Sequence, residues 1–324
     1  MQTRVLVPSG VLGLGFDPDA LARGVAANPD IIAIDGGSTD SGPFYLGTGT
    51  SKYSRSVCRD EWRQLLEARA TAGVPLVIGS CGTCGTAETV DWMFGITCEL
   101  AAELGQTLRV ARLYSDVPVE TLRVARDSGR LSPLHPAQTI DDAALEAMTN
   151  IVALAGAEQI QAAIHTGADV VLAGRATDTA TIAALPLARG AHSGATWHGA
   201  KIAECGAFCT TRPASGVVMV TFDEAGFTVR PMGEGVRCTP QSVAAHMLYE
   251  NSDPWILYEP GGHLDVTAAT YTEAAQDGVR VVGAIWVAAG DYRVKLEGAR
   301  LVGYQTMMLA VIRDPHYVEV VADW

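Results

Sequence analysis

Apolar and polar positions along the first two thirds of the chain form blocks that predict strands and helices in turn. Short β-branched runs at 4–7 and 30–34 predict buried strands. After the second of these strands, apolar residues recur at helical spacing over 58–73, with Leu65 and Leu66 on one face. Strands that are apolar throughout and joined by helices are typical of a parallel sheet covered on both faces. We therefore predict an α/β fold, with a mostly parallel, Rossmann-like sheet flanked by helices.

The pattern changes near residue 215, where a strand-rich α+β part begins. The stretch 216–235 predicts a hairpin, 264–286 predicts strand, loop and strand, and 292–312 predicts two more strands. Before the change, 144–167 is interpreted as a helix. The domains that we expect are an α/β parallel-sheet domain over residues 1–214 and a strand-rich α+β domain over residues 215–324.

Composition and charge exclude several classes of function. The 324 residues exceed the size at which one hydrophobic core usually stops growing, which supports two domains. A net charge of −13 without any basic cluster argues against a nucleic-acid partner. No uncharged apolar stretch reaches about 18 residues, so no membrane span is expected. With no signal peptide predicted, the seven cysteines indicate free thiols or ligands in a cytoplasmic protein, not a disulfide framework. A homo-oligomer is the default expectation for such a protein.

The loop DGGSTDSG at 35–42 follows the second predicted strand at its carboxyl end. Its carboxylates, hydroxyls and unhindered backbone N–H groups could hold a phosphate, a carboxylate or a hydrated cation. The alternative is a tight turn capped by an aspartate. If a divalent cation is used, we expect Asp35 and Asp40 to bind it. The substrate-binding residues predicted in this loop are Gly36, Gly37, Ser38 and Thr39.

The loop GSCGTCGT at 79–86 contains C-x-x-C before a predicted helix, and three interpretations compete. It could be a thioredoxin-type redox pair, or a zinc or iron–sulfur ligand pair completed by Cys205 and Cys209. It could also be an anion-binding glycine loop in which cysteine is only a small residue. We favour the third interpretation and do not expect an iron–sulfur cluster. The substrate-binding residues predicted here are Ser80, Cys81, Gly82, Thr83, Cys84, Gly85 and Thr86.

The loop GRATDTA at 174–180 also follows a predicted buried strand. Arg175 could bind a carboxylate or phosphate through two N–H groups, with Thr177 and Asp178 as further substrate-binding residues. The alternative is equally open: Asp178 caps the next helix and Arg175 forms an ion pair with a neighbour.

Proton-transfer residues are predicted in two further stretches. Glu204 lies beside a thiol and a glycine in WHGAKIAECG, at helical spacing from Lys201. His263 lies in the glycine loop GGH. We expect Glu204, with Asp40 or His263, to act as the acid/base pair. The alternative for a lone histidine is a structural role.

Three stretches resemble the acyclic terpene utilisation (AtuA-type) family. They are DGGSTDSGPFYLGTG at 35–49, GRATDTATIAALPLARGA with WHGAKIAECGA after it, and YRVKLEGARLVGYQTMMLAVIRDP at 292–315. The resemblance runs along the whole chain in order. It implies a role in carboxylic-acid or acyl-CoA catabolism, with a small partner protein or a fused small domain. Relatives usually continue beyond the IRDP stretch, so we expect a short member, a truncated form or one half of a split protein.

Together these features predict a hydratase, hydro-lyase or isomerase acting on a small carboxylate or its CoA ester. Arg175 and the glycine loops would bind the anion, so that Arg175→Ala should raise KM. One alternative is a non-catalytic binding or scaffold subunit that works with the small partner. The other is an iron–sulfur hydro-lyase whose ligands would be Cys81, Cys84, Cys205 and Cys209.

Overall fold

A computed structural model describes residues 2–134 and 139–323, and for Asp40 and Ser215 only the backbone. The elements up to the middle of the chain are β1 (Thr3–Val7), α1 (Pro18–Ala26), β2 (Ile31–Asp35), α2 (Phe44–Thr48), α3 (Arg55–Ala72), β3 (Leu76–Gly79), α4 (Ala87–Glu103), β4 (Val110–Leu113), α5 (Val119–Asp127), α6 (Asp142–Glu146), β5 (Asn150–Ala153), α7 (Ala157–His165), β6 (Val170–Ala173), α8 (Asp178–Ala188) and α9 (Ser193–Ala203). After them come β7 (Val218–Phe222), β8 (Gly226–Pro231), α10 (Pro240–Ala245), β9 (Ile256–Glu259), β10 (Gly262–Asp265), β11 (Thr270–Ala274), β12 (Gly278–Val282), β13 (Ile285–Ala288), β14 (Leu296–Ala299) and α11 (Pro315–Val320).

A nine-stranded sheet in the order β11-β12-β8-β7-β1-β2-β3-β6-β4 organises the molecule. The five strands from β1 to β4 in this order are parallel, and the remaining strands join antiparallel beyond β1. The fold class is therefore confirmed: a largely parallel α/β sheet, followed by strand-rich antiparallel structure. The strands β7 and β8 form the predicted hairpin and extend this same sheet, while β13-β10-β9 and β14-β5 form two small sheets.

Hydrophobic cores cover both faces of the sheet. Val5 and Ile31 pack into one core with the helices α7, α8 and α9, whereas Leu6 and Ile32 pack into the other with α3 and α4. Because successive residues of a strand point to opposite faces, a strand buried on both faces must be apolar throughout. Within the residues that the structure describes, no helix is both long and apolar enough to cross a bilayer.

The predicted helix over 144–167 is wrong. The structure divides this stretch into the end of α6, the strand β5 and the helix α7. The β-branched residues Ile151 and Val152 pair with Gly298 and Glu297 of β14. A strand partner that is distant in sequence has overridden a pattern that fits a helix locally.

The second strand predicted within 292–312 is also wrong. Only β14 forms there, and the stretch that follows contains no strand among the residues described up to the start of α11. An isolated strand leaves its backbone N–H and C=O groups without partners, so β-propensity alone does not form one. Several apolar side chains of this stretch are exposed, with Tyr304 at 93% and Leu309 at 92%.

The loop after β3 packs so closely against the loop after β6 that only glycine fits at position 85. Gly85 has φ +64°, and a Cβ there would lie 2.2 Å from the backbone nitrogen of Arg175. Gly85→Ala should therefore lower the free energy of unfolding by about 3–5 kcal/mol. Gly105 has the same φ, but a Cβ there would meet nothing within 4 Å, so Gly105→Ala should cost only about 1–2 kcal/mol. Urea denaturation of both variants checks this, and equal costs would contradict the packing argument.

Candidate functional site

The loops that follow β2, β3 and β6 meet at the carboxyl edge of the parallel strands. The N–H of Gly36 donates to the carbonyl of Gly79 at 2.8 Å, and the N–H of Thr83 donates to the carbonyl of Gly36 at 3.0 Å. The N–H of Arg175 donates to the carbonyl of Gly85 at 3.0 Å. The three polar loops singled out from the sequence are thus joined by backbone hydrogen bonds at one edge of the sheet, where ligands of open α/β sheets bind.

Arg175 is buried at this edge, and groups of the chain surround its guanidinium. Its Nε donates to Glu297 Oε2 at 2.9 Å, and its Nη1 donates to Ser80 Oγ at 3.0 Å. Nη1 also lies 3.4 Å from Asp178 Oδ1, and Nη2 lies 3.4 Å from Glu297 Oε1. Burial alone would raise the pKa of Glu297, but Arg175 and Lys295 lower it to about 2. Arg175 thus forms the ion pair that was considered as an alternative, and its partner is Glu297 on β14. The sequence did not single out Glu297.

Asp35 ends β2 with a buried carboxyl group. Its Oδ2 accepts a hydrogen bond from the N–H of Gly37 at 2.9 Å, whereas Oδ1 has no partner among the described residues. Burial, reinforced by the charge of Asp178, raises the pKa of Asp35 well above its ordinary value even though Arg175 opposes the shift. The side chain of Asp40 lies outside the described residues, so its predicted roles in proton transfer and metal binding stay predictions.

The cysteine-containing loop after β3 lies against Arg175. Ser80 and Thr83 adopt positive φ angles of 45° and 77°, which are uncommon for residues with a side chain and cluster at functional sites. Burial strongly raises the pKa of the Cys81 thiol, which is the reverse of an activated redox cysteine. All the predicted binding residues of this loop are buried: Ser80, Cys81, Gly82, Thr83, Cys84, Gly85 and Thr86.

Glu259, the last residue of β9, was missed by sequence reasoning and lies beside the start of α8. It accepts a hydrogen bond from the hydroxyl of Thr179, which is itself 3.1 Å from the hydroxyl of Thr177. Its other oxygen, Oε2, is buried without a partner among the described residues. Burial, with Asp178 nearby, raises the pKa of Glu259 to about 7. The sequence feature that could have indicated Glu259 is its position at the end of a strand, directly before the glycine loop that contains His263.

His263 lies on the opposite face of its strand from the buried core. In β10 it pairs with Tyr258 and Val287, and its ring centroid lies 5.6 Å from that of Tyr258. Neighbouring residues of a strand point to opposite faces, so the buried Leu264 lies on the other side of this small sheet. The structure therefore does not bring His263 to the carboxyl groups of the site.

Lys201 and Glu204 form a buried ion pair near the end of α9. Their side chains are three residues apart, as the helical spacing predicted, and both are at most 6% exposed. Burial raises the pKa of Glu204, with Lys201 opposing and Asp178 adding to the shift. The side chain of Asp178 is 26% exposed, and its charge acts on Lys201, Glu204 and Glu259 together.

Metal-binding side chains converge at one place in the described part of the chain. Ligand atoms of Glu204, Cys205 and His246 all lie within 4.8 Å of one another. Cys81 and Cys84 belong to the loop after β3, whereas Cys205 and Cys209 follow α9. The described residues therefore hold no common group of these four cysteines that would suit an iron–sulfur cluster.

The raised pKa of Glu259 has a consequence for stability. Its value of about 7 exceeds the ordinary glutamate value of 4.5, so the folded protein binds this proton more tightly than the unfolded chain. The contribution is fully present below about pH 4.5 and is lost as the pH rises through 7. Glu259→Gln should therefore match the wild type at pH 4 and be about 1–3 kcal/mol more stable at pH 8. Denaturation at both pH values checks this, and equal stability at pH 8 would contradict it.

A mostly parallel sheet with buried carboxyl groups and a lysine at its carboxyl edge defines an α/β protein with a polar site at the strand ends. The family model described as "Acyclic terpene utilisation family protein AtuA" matches residues 46–322. The chain therefore belongs to the AtuA family, as the three motif stretches suggested. No curated protein and no solved structure matches the chain.

Proposed function

We propose that this AtuA-family protein is an enzyme that transfers protons in carboxylic-acid or acyl-CoA catabolism. The reaction would be a hydration, a dehydration or an isomerisation of a carbon–carbon double bond. The observation that supports this most directly is Glu259, whose buried Oε2 has no partner among the described residues and whose pKa lies at about 7. A carboxyl group that titrates near neutral pH both donates and accepts protons readily under working conditions.

The charges around Glu259 favour a neutral reacting group. Arg175 contacts both Glu297 and Asp178, Lys295 pairs with Glu297, and Lys201 pairs with Glu204. Among the described residues, Glu259 and Asp35 form no ion pair of their own. A free carboxylate beside these two carboxyl groups would be repelled once either is ionised, whereas the carbonyl of a thioester carries no charge. We therefore favour the CoA ester over the free acid as substrate. The exposed part of Asp178 and the hydroxyl of Thr177 would line the entrance, and Glu204 would stay paired with Lys201.

The test is exchange of carbon-bound hydrogen in D₂O. Wild-type protein is incubated with a panel of α,β-unsaturated and β-hydroxy acids and with their CoA esters. Mass spectrometry reads deuterium incorporation, and the ultraviolet absorbance of the enoyl thioester reads hydration. The proposal predicts turnover of at least one thioester and none of its free acid. If wild type and the Glu259→Gln variant leave the whole panel equally unchanged, the proton-transfer function is wrong.

One observation favours a second candidate, a binding subunit that works with a partner. Between β14 and α11, Val302, Met307, Met308 and Val311 are 84–89% exposed, which is unusual for apolar side chains that face water. A partner protein could bury this stretch. Sedimentation of wild type and a Met308→Asp, Val311→Asp double variant tests it: an assembly that persists unchanged in the variant would remove the stretch as an interface.

A further inference from the structure

Glu204, Cys205 and His246 form a cluster with the geometry of an open metal site. Glu204 and Cys205 directly follow α9, and His246 directly follows α10. Their ligand atoms lie within 4.8 Å of one another. Zn–S bonds of about 2.3 Å and Zn–N or Zn–O bonds of about 2.0–2.1 Å place tetrahedral ligands roughly 3.5 Å apart. Side-chain rotations that shorten the separations by about 1 Å would therefore close the cluster around one ion.

The imidazole of His246 supplies an independent indication of a ligand. His246 is only 5% exposed, yet its Nε2 has no hydrogen-bond partner among the described residues. The ring also interacts with the backbone of Lys201, which fixes its orientation. Buried ring nitrogens are nearly always paired, and metal-bound histidines characteristically use their second nitrogen to bond a backbone carbonyl or carboxylate.

The charges that face the cluster suit a cation. Asp178 and Glu259 both act on Glu204, and Glu250 acts on Cys205. Lys201 is a cation that acts on all three side chains, and it already donates to Glu204 Oε1. A hydrogen bond of this kind to a ligating carboxylate is a common way of orienting it toward a metal.

We propose that Glu204, Cys205 and His246 bind one zinc ion through a carboxylate oxygen, the thiolate and an imidazole nitrogen, with the fourth position open. Three protein ligands and an open position characterise catalytic rather than structural zinc sites. A mixed sulfur, nitrogen and oxygen set favours zinc over magnesium or calcium, which prefer oxygen ligands alone. Cys205 is partly exposed, so the ion has a route into the site.

The experiment titrates metal-free wild-type protein with Zn²⁺ and Co²⁺. We expect one equivalent of either ion to bind, and Co²⁺ to give the near-ultraviolet charge-transfer absorption of a cobalt–thiolate bond. Cys205→Ser should abolish that absorption, and Cys205→Ser and His246→Gln should each weaken Zn²⁺ binding by about 100-fold or more. Cys209→Ala, a buried neighbour outside the cluster, and Cys98→Ser, an exposed thiol, should bind as the wild type does.

These readouts measure metal binding and do not depend on the reaction proposed above. The wild-type cobalt spectrum reports thiolate ligation even if a ligand variant fails to fold, and thermal unfolding identifies such a variant. The proposal is overturned if the wild type binds less than one equivalent at micromolar protein. It is equally overturned if the bound Co²⁺ lacks the thiolate absorption, or if a folded Cys205→Ser or His246→Gln variant keeps its Zn²⁺ affinity.

Discussion

Replacing Glu259 by glutamine is expected to lower kcat on a thioester substrate by about 10²–10⁴-fold, the usual contribution of a positioned acid or base. Glutamine has the same size and can still accept the hydrogen bond from Thr179, but its amide does not titrate. Binding should change little, so KM should stay within a few-fold of the wild-type value. Steady-state kinetics from about pH 5 to 9 measure the effect, and the wild-type limb near pH 7 should disappear in the variant.

Glu273→Gln is the matched control for this experiment. Glu273 is an exposed residue of β11, so its replacement should leave kcat and the pH profile unchanged. If the Glu259→Gln variant keeps the wild-type kcat, another group, such as Glu204, must carry the proton. Glu259→Gln is also expected to stabilise the protein at pH 8. Loss of activity combined with a gain in stability is the behaviour of a residue retained for function at a cost in stability.

Arg175→Met is expected to lower the free energy of unfolding by about 3–5 kcal/mol at pH 7. Methionine approximates the volume of the arginine stem but leaves the Glu297 carboxylate buried without its main partner. The pKa of about 2 for Glu297 shows how strongly its charged form depends on Arg175 and Lys295. Urea denaturation monitored by tryptophan fluorescence gives the change in stability.

The double variant Arg175→Met, Glu297→Leu separates a lost charge partner from lost packing. The double variant also removes the Glu297 carboxylate that Arg175→Met leaves without its main partner, so it should be less destabilised than Arg175→Met alone. Equal destabilisation would show that packing, not charge, is the main contribution of Arg175. The guanidinium of Arg175 already pairs with groups of the chain, so Arg175→Ala is expected to affect stability as well as substrate binding. A change in its KM is therefore informative only if the variant is folded.

Local pattern was enough to predict the parallel sheet and the meeting of the polar loops at one of its edges. The β-branched runs became the buried strands β1, β2, β3 and β6, and the polar loops after them meet because parallel strands end at one edge. The spacing of Lys201 and Glu204 likewise predicted two side chains on one turn of a helix. Lys201 and Glu204 are close in sequence, and the parallel arrangement of the strands follows from the general rules for connecting strands through helices.

The two acidic residues that the structure adds to the candidate site could not be found in this way. Glu297 is 122 residues from Arg175, and Glu259 is 80 residues from Thr179. Both lie on strands of the small sheets, whose pairing is set by tertiary packing and not by local periodicity. The same dependence explains the helix predicted over β5, because β5 is a strand only through its pairing with β14.

The central position of β1 has a consequence for synthesis on the ribosome. This strand is made before its antiparallel neighbour β7, which emerges roughly 200 residues later. At about 5–20 residues per second, the backbone N–H and C=O groups along one edge of β1 wait roughly 10–40 s for their partner. Unpaired strand edges recruit other chains, so nascent protein in this interval is the form most exposed to aggregation. A chaperone that holds the N-terminal segment during elongation should therefore raise the soluble yield more than one added after release.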